Sequence, residues 1–174
     1  MKLPDPVTLG AVNGELFGRL FEMLPPRMDT PEARVMLIAI GLQESRFVHR
    51  RQLVGTPPRP NGPATGFWQF EQGGGCLGVL RHPASRPLML EICQQRGVAP
   101  TSGTLWSALQ QDDLLAAAAA RLLLWTDAAP LPRVDDEDAA WNYYMRVWRP
   151  GKPHHQTWGR LHWMAVSEVL GAAA

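Results

Sequence analysis

The sequence predicts one all-α domain, and three observations carry that prediction. Apolar residues recur at three- and four-residue steps along most of the chain, the spacing that gathers them on one face of a helix. Proline and glycine punctuate these stretches where helices must stop. No segment alternates apolar and polar residues convincingly with the period of two that marks a strand. A chain of 174 residues, 45% of them hydrophobic, can bury one core. No repeat or linker divides it, so a single domain over residues 1–174 is expected.

The elements follow in order. Leu9, Val12, Leu16, Leu20 and Leu24 define an amphipathic helix over 8–24, ended by Pro25 and Pro26. Thr30, Pro31 and Glu32 supply an N-cap, a first-turn proline and a first-turn acid. The helix they start is apolar on nearly every face over 35–43, as a buried central helix is. Residues 54–65 form a Pro/Gly-rich loop, and a second glycine cluster at 73–75 precedes a short apolar segment over 76–80. Residues 85–95 read as a helix stopped near Gly97 and Pro100. Residues 104–125 read as one or two helices, with Asp112 and Asp113 placed to favour the N-terminus of the Ala/Leu stretch. Acids at 135–138 and arginines at 146 and 149 mark the two ends of a helix of about three turns. A final helix runs over about 155–170.

Composition excludes several classes of function. Lys+Arg 17 against Asp+Glu 16 gives net +1, too weak a field to recruit nucleic acid. The apolar runs at 35–42 and 114–125 are too short, or interrupted by Arg121, to span a bilayer, so no membrane insertion is expected. Residues 1–10 hold no apolar signal region, which predicts a soluble protein made in a cytoplasm. Cys76 and Cys93 have neither metal spacing nor a disulfide framework and are expected as buried thiols. His154, His155 and His162 lack an acid or cysteine at ligand spacing, so neither a metal nor a cofactor is expected.

Glu44 is the most informative residue. It lies three, four and seven residues beyond Gly41, Ile40 and Leu37, so it continues an apolar stripe at the end of the central helix. Partial desolvation and the negative end of the helix dipole both disfavour its anion and push its pKa upward. A carboxyl that stays protonated near neutral pH suits general-acid cleavage of a glycosidic bond. The competing reading is a solvated helix-end acid paired with Arg46 or Arg50. A second element is Gly66-Phe67-Trp68-Gln69-Phe70 after the Pro/Gly loop. Here Gly66 lets a backbone approach sugar and Gln69 supplies an amide, against the plainer reading of a loop anchored by buried aromatics. The third is Ala139-Ala140-Trp141-Asn142-Tyr143-Tyr144, whose Asn142 also aligns with Asp138 and Arg146 on an ordinary polar face.

Taken in order, E-S-x-F, G-x-x-Q and A-x-N resemble the lytic transglycosylases, which share a lysozyme-like fold with goose-type lysozymes and cleave peptidoglycan. The resemblance is strongest over residues 30–150. It implies a lysozyme-like domain, with Glu44 as the single catalytic acid/base and Ser45 beside it. It further implies that Gly66, Phe67, Trp68 and Gln69 occupy the family's Gly-Leu-Met-Gln positions shaping the cleft. Ala140, Trp141 and Asn142 occupy its Ala-Tyr-Asn positions. Ser45, Gly66, Phe67, Trp68, Gln69, Trp141, Asn142 and Tyr144 are thus the expected substrate-binding set.

This sequence departs from the family at Trp141, where the family has a tyrosine whose hydroxyl helps hold the acid. Indole offers only one N–H donor. Either Trp141 packs against sugar or Glu44, or Tyr143 or Tyr144 supplies the hydroxyl, with Tyr144 favoured because it lies three residues on and near the same face. No Asp or Glu occurs between Ser45 and Phe70. A hydrolase needs a second carboxylate, so the resemblance favours the lyase route. In that route Glu44 protonates the glycosidic oxygen, the substrate's N-acetyl group stabilises C1, and the C6 hydroxyl closes a 1,6-anhydro product. Glu71 is the candidate second acid of a hydrolytic alternative.

Arg46, Arg50, Arg51 and Arg59 form a local basic stretch, read as a solvated surface ahead of an anion-attracting one. Of the seven tryptophans, Trp68 is the expected sugar platform, from its motif position. The implied partners are peptidoglycan glycan strands and phage tail or other virion proteins. The implied setting is a phage virion or host cytoplasm, with action at the cell wall. The rival of a different class is a virion structural protein that has kept the fold and lost activity.

Overall fold

The computed structural model describes residues 1–171 and is mostly helical. A π-helical turn, Ala11–Leu16, runs into α1 (Phe17–Glu22). The remaining α-helices are α2 (Pro31–Ser45), α3 (Leu77–Arg81), α4 (Arg86–Gln95), α5 (Ser102–Leu109), α6 (Asp113–Trp125), α7 (Glu137–Trp148) and α8 (His155–Gly171), with a 3-10 turn at Pro26–Met28 and a second π-helical turn at Gln72–Cys76. One small antiparallel sheet pairs β1 (Ala64–Thr65) with β2 (Phe70–Glu71). It is a small addition to a fold that is predominantly helical, as the sequence predicts. Strands of two residues are too short to write a period-two pattern into the sequence.

Two apolar helices make the centre. In α2 the Thr30 hydroxyl accepts from the Ala33 amide at 3.2 Å, Pro31 sits in the first turn, and every residue from Val35 to Leu42 is buried. In α6 the Asp112 carboxylate caps the amides of Leu114 and Leu115, and the alanines 116–120 are all buried. Side chains this small let neighbouring helices close on α6 without voids. No helix among the described residues is long and apolar enough to cross a membrane.

The basic stretch after α2 is taken apart by the fold. Arg50 is buried, and its guanidinium bonds both carboxylate oxygens of the fully buried Asp113 at 2.8 and 2.9 Å. It also bonds Asp5 and the Leu3 carbonyl, tying the chain's first residues to the start of α6. Arg51 lies over the Trp106 ring at 4.3 Å. Arg46 and Arg59 are exposed. Half of this stretch is therefore structural cement rather than solvated surface.

Candidate active site

The end of α2 is shaped by a close approach. Arg46 and Phe47 take left-handed backbone angles (φ 58° and 55°), and the turn folds the Phe47 ring back over Gly41. A Cβ at Gly41 would fall inside that ring, so only glycine fits there. Ser45 completes the turn, its hydroxyl donating to the Gly41 carbonyl at 3.2 Å and accepting from the Phe47 amide at 3.1 Å. Ser45 is buried, so it shapes the turn that carries Glu44 and is corrected from the substrate-binding set.

Glu44 is left half-buried at the end of this helix. The Tyr144 hydroxyl, from α7, donates to Glu44 Oε1 at 2.7 Å. Burial raises the Glu44 pKa from 4.5 to about 7, and the Tyr144 hydrogen bond opposes part of the rise. The Tyr144 phenol is itself pushed well above its ordinary value by burial and by Glu44, so it stays protonated at neutral pH and keeps its donor to Glu44. Of the two tyrosines that could supply the hydroxyl, the structure takes Tyr144. The Tyr143 hydroxyl turns the other way, to the Leu124 carbonyl at 2.8 Å.

Tyr144 is held by an aromatic stack that the sequence did not reveal. Trp158 of α8 is buried and stacks on Tyr144 with ring centroids 5.1 Å apart and planes at 15°. His162 also stacks on Trp158, with ring centroids 6.1 Å apart and planes at 25°, and is buried with its Nε2 unpartnered. Trp141 is half-buried and touches Tyr144, Trp158 and His155 at centroid distances of 5.4, 5.5 and 4.7 Å. The start of α8 is fastened to α2 beside Glu44, where Gln43 donates to the His154 carbonyl at 3.1 Å and accepts from the Thr157 hydroxyl at 3.0 Å. A tryptophan one helix away at an unrelated sequence distance leaves no motif to find it by.

The Gly66–Phe70 turn is a second wall, with corrections. Gly66 has φ 71° and is buried, and a Cβ there would press on Ala116 and the Leu109 carbonyl at 3.2 Å. Gln69 is half-buried, also left-handed (φ 50°), and its amide donates to the Gly66 carbonyl at 2.7 Å. Both residues build the turn. Phe67 and Trp68 are fully buried, in an aromatic cluster with Phe47, and the Trp68 indole donates to the Leu37 carbonyl of α2 at 2.8 Å. Neither offers a face to a ligand, so the expected Trp68 sugar platform is overturned, with Phe67 beside it. The apolar rings of this motif serve the core, as large aromatics mostly do. Asn142 is exposed on α7.

The carboxylates near these elements have other work. Asp113 is consumed by Arg50, and Asp112 by the cap of α6 and by Arg96. Glu71 is exposed on β2. Burial raises the pKa of the Glu44 carboxyl, against the opposing hydrogen bond from Tyr144. Among the described residues, Glu44 is the carboxylic acid that burial leaves poised to hold or give a proton near neutral pH. A scan against protein-family models and searches of curated proteins and of solved structures find no match for this chain.

Proposed function

We propose that this protein is a peptidoglycan lytic transglycosylase on a lysozyme-like domain, cleaving the β-1,4 bond between N-acetylmuramic acid and N-acetylglucosamine. The observation that carries the reading is the Glu44–Tyr144 pair, a carboxyl raised to about 7 and oriented by a phenol at 2.7 Å. Protonated Glu44 gives its proton to the glycosidic oxygen as the C1–O bond breaks. The N-acetyl carbonyl oxygen of the substrate bonds C1 and holds the positive charge. The C6 hydroxyl then displaces it, returning its proton to Glu44 and leaving a 1,6-anhydro ring with no water consumed. Supporting this over hydrolysis is the commitment of Asp112 and Asp113 elsewhere and the exposure of Glu71.

The setting belongs to the same proposal: a phage virion-associated or lysis enzyme acting on the wall, with peptidoglycan strands and virion proteins as partners. Purified peptidoglycan tests the reading. The native protein should release soluble fragments, and Glu44→Gln, folded, should release none. Failure of the native protein to release any would favour the second reading, a virion structural protein, to which the buried Trp68 and the substituted Trp141 lend support.

A further inference from the structure

Helix α7 places three aromatic residues on one face. Trp141, Tyr144 and Trp148 are spaced by three and four residues, so they succeed one another along a single side of the helix. The middle one holds Glu44. Its two neighbours are both half-buried, in contrast to the sealed Trp68 and Trp158. Trp148 is held in place at two points. Its indole N–H donates to the Trp68 carbonyl at 3.0 Å, and its ring meets Phe70 edge-to-face at 5.7 Å. Those anchors come from the Gly66–Phe70 turn, so Trp148 joins the two walls of the site. Trp141 is braced by ring contacts with Tyr144, His155 and Trp158.

Resting on the glycan-cleaving reading above, we infer that Trp141 and Trp148 are two sugar platforms, one on each side of the bond presented to Glu44. Seven residues of helix separate them by about 10 Å along the axis, the length of one disaccharide unit of a β-1,4 strand. A sugar ring offers an apolar C–H face that gains dispersion contact on a rigid indole. The Trp148 polar atom is already satisfied by backbone, so the ring loses no hydrogen bond when sugar covers it. The arrangement selects substrates with sugars on both sides of the cleaved bond and disfavours short fragments that reach only one platform. Trp148 is thus a specificity-determining residue outside the three motifs.

Binding of N-acetylglucosamine oligomers to the Glu44→Gln protein, with tryptophans labelled as 5-fluorotryptophan, tests this without altering the packing. Titration with the tetramer should shift the fluorine resonances of both Trp141 and Trp148, assigned by Trp→Phe variants, and leave the exposed Trp163 of α8 unmoved. The dimer should bind at least tenfold more weakly. In the native background, Trp148→Phe should raise KM on long strands at least fivefold with kcat within about twofold. Tetramer binding with the Trp148 resonance unmoved would overturn the inference and leave the glycan reading intact. A native protein that neither binds oligomers nor cleaves peptidoglycan would overturn the glycan reading, and the inference with it.

Discussion

Tyr144 donates a hydrogen bond to Glu44 across 100 positions of sequence, joining the end of α2 to the middle of α7 at 2.7 Å. This contact orients the carboxyl and moderates the rise in its pKa that burial imposes. It also puts the supporting hydroxyl one helical turn beyond Trp141. The indole left at 141 braces Tyr144 instead of replacing it.

Removing that hydroxyl has two separable effects. Tyr144→Phe deletes a hydrogen bond that favours the Glu44 anion, so the Glu44 pKa should climb above about 7. The alkaline fall in activity should move to higher pH while the maximal rate drops at least tenfold. Unfolding free energy should fall by about 1 kcal/mol. Rates against pH for both proteins check this, and an unmoved alkaline limb would contradict the role given to Tyr144.

The native pH profile should have one catalytic ionisation. The proposed mechanism needs Glu44 protonated, so activity should decline as pH rises through about 7. With no second carboxylate in use, no catalytic limb is expected near the ordinary carboxylate range. The acid side should be set by unfolding. Burial lowers the His162 pKa from 6.5, so protons bind the unfolded chain more readily. The His162 share of stability, present above 6.5, is therefore lost as pH falls below it, while Glu44 contributes in the opposite sense over the same range. Thermal melts of Glu44→Gln at a series of pH values, where the Glu44 contribution is absent, will show the His162 loss.

Glu44→Gln should abolish activity and stabilise the fold at alkaline pH. The folded-state pKa of about 7 lies above the unfolded value of 4.5, so the native carboxyl favours folding below 4.5 and loses that contribution as pH rises through 7. The neutral amide escapes this loss. Its gain should be on the order of 1–3 kcal/mol at pH 8 and vanish near pH 4. Urea unfolding at both pH values measures it.

Arg50→Met should be strongly destabilising. It strands Asp113, which is fully buried, with only the Leu3 amide as a remaining partner. Losing one member of a buried pair costs about 3–5 kcal/mol. Chemical denaturation checks the value, and a loss under about 1 kcal/mol would mean that the pair is dispensable.

Much of this organisation was legible in the sequence. Thr30-Pro31-Glu32 opened α2, the acids at 135–138 opened α7, and Glu44 and Tyr144 were brought together as spacing and the supporting-tyrosine argument suggested. What misled was the burial of motif residues. A Phe-Trp pair beside a glycine looks the same on a sugar-lined cleft and in a core, and only the Leu37 carbonyl waiting on α2 decides for Trp68. The Arg50–Asp113 pair spans 63 positions, and the Tyr144–Trp158–His162 stack joins two helices. Contacts of that range leave no local pattern.

The central claim is that a single acid, Glu44, cleaves glycan without water. Mass spectrometry of the sugars released from purified peptidoglycan tests it most directly, with Glu44→Gln run in parallel. Fragments lighter by one water and ending in a 1,6-anhydro ring, from the native protein alone, are the predicted result. Reducing ends would contradict the mechanism and require a second acid, and anhydro fragments from both proteins would contradict the site.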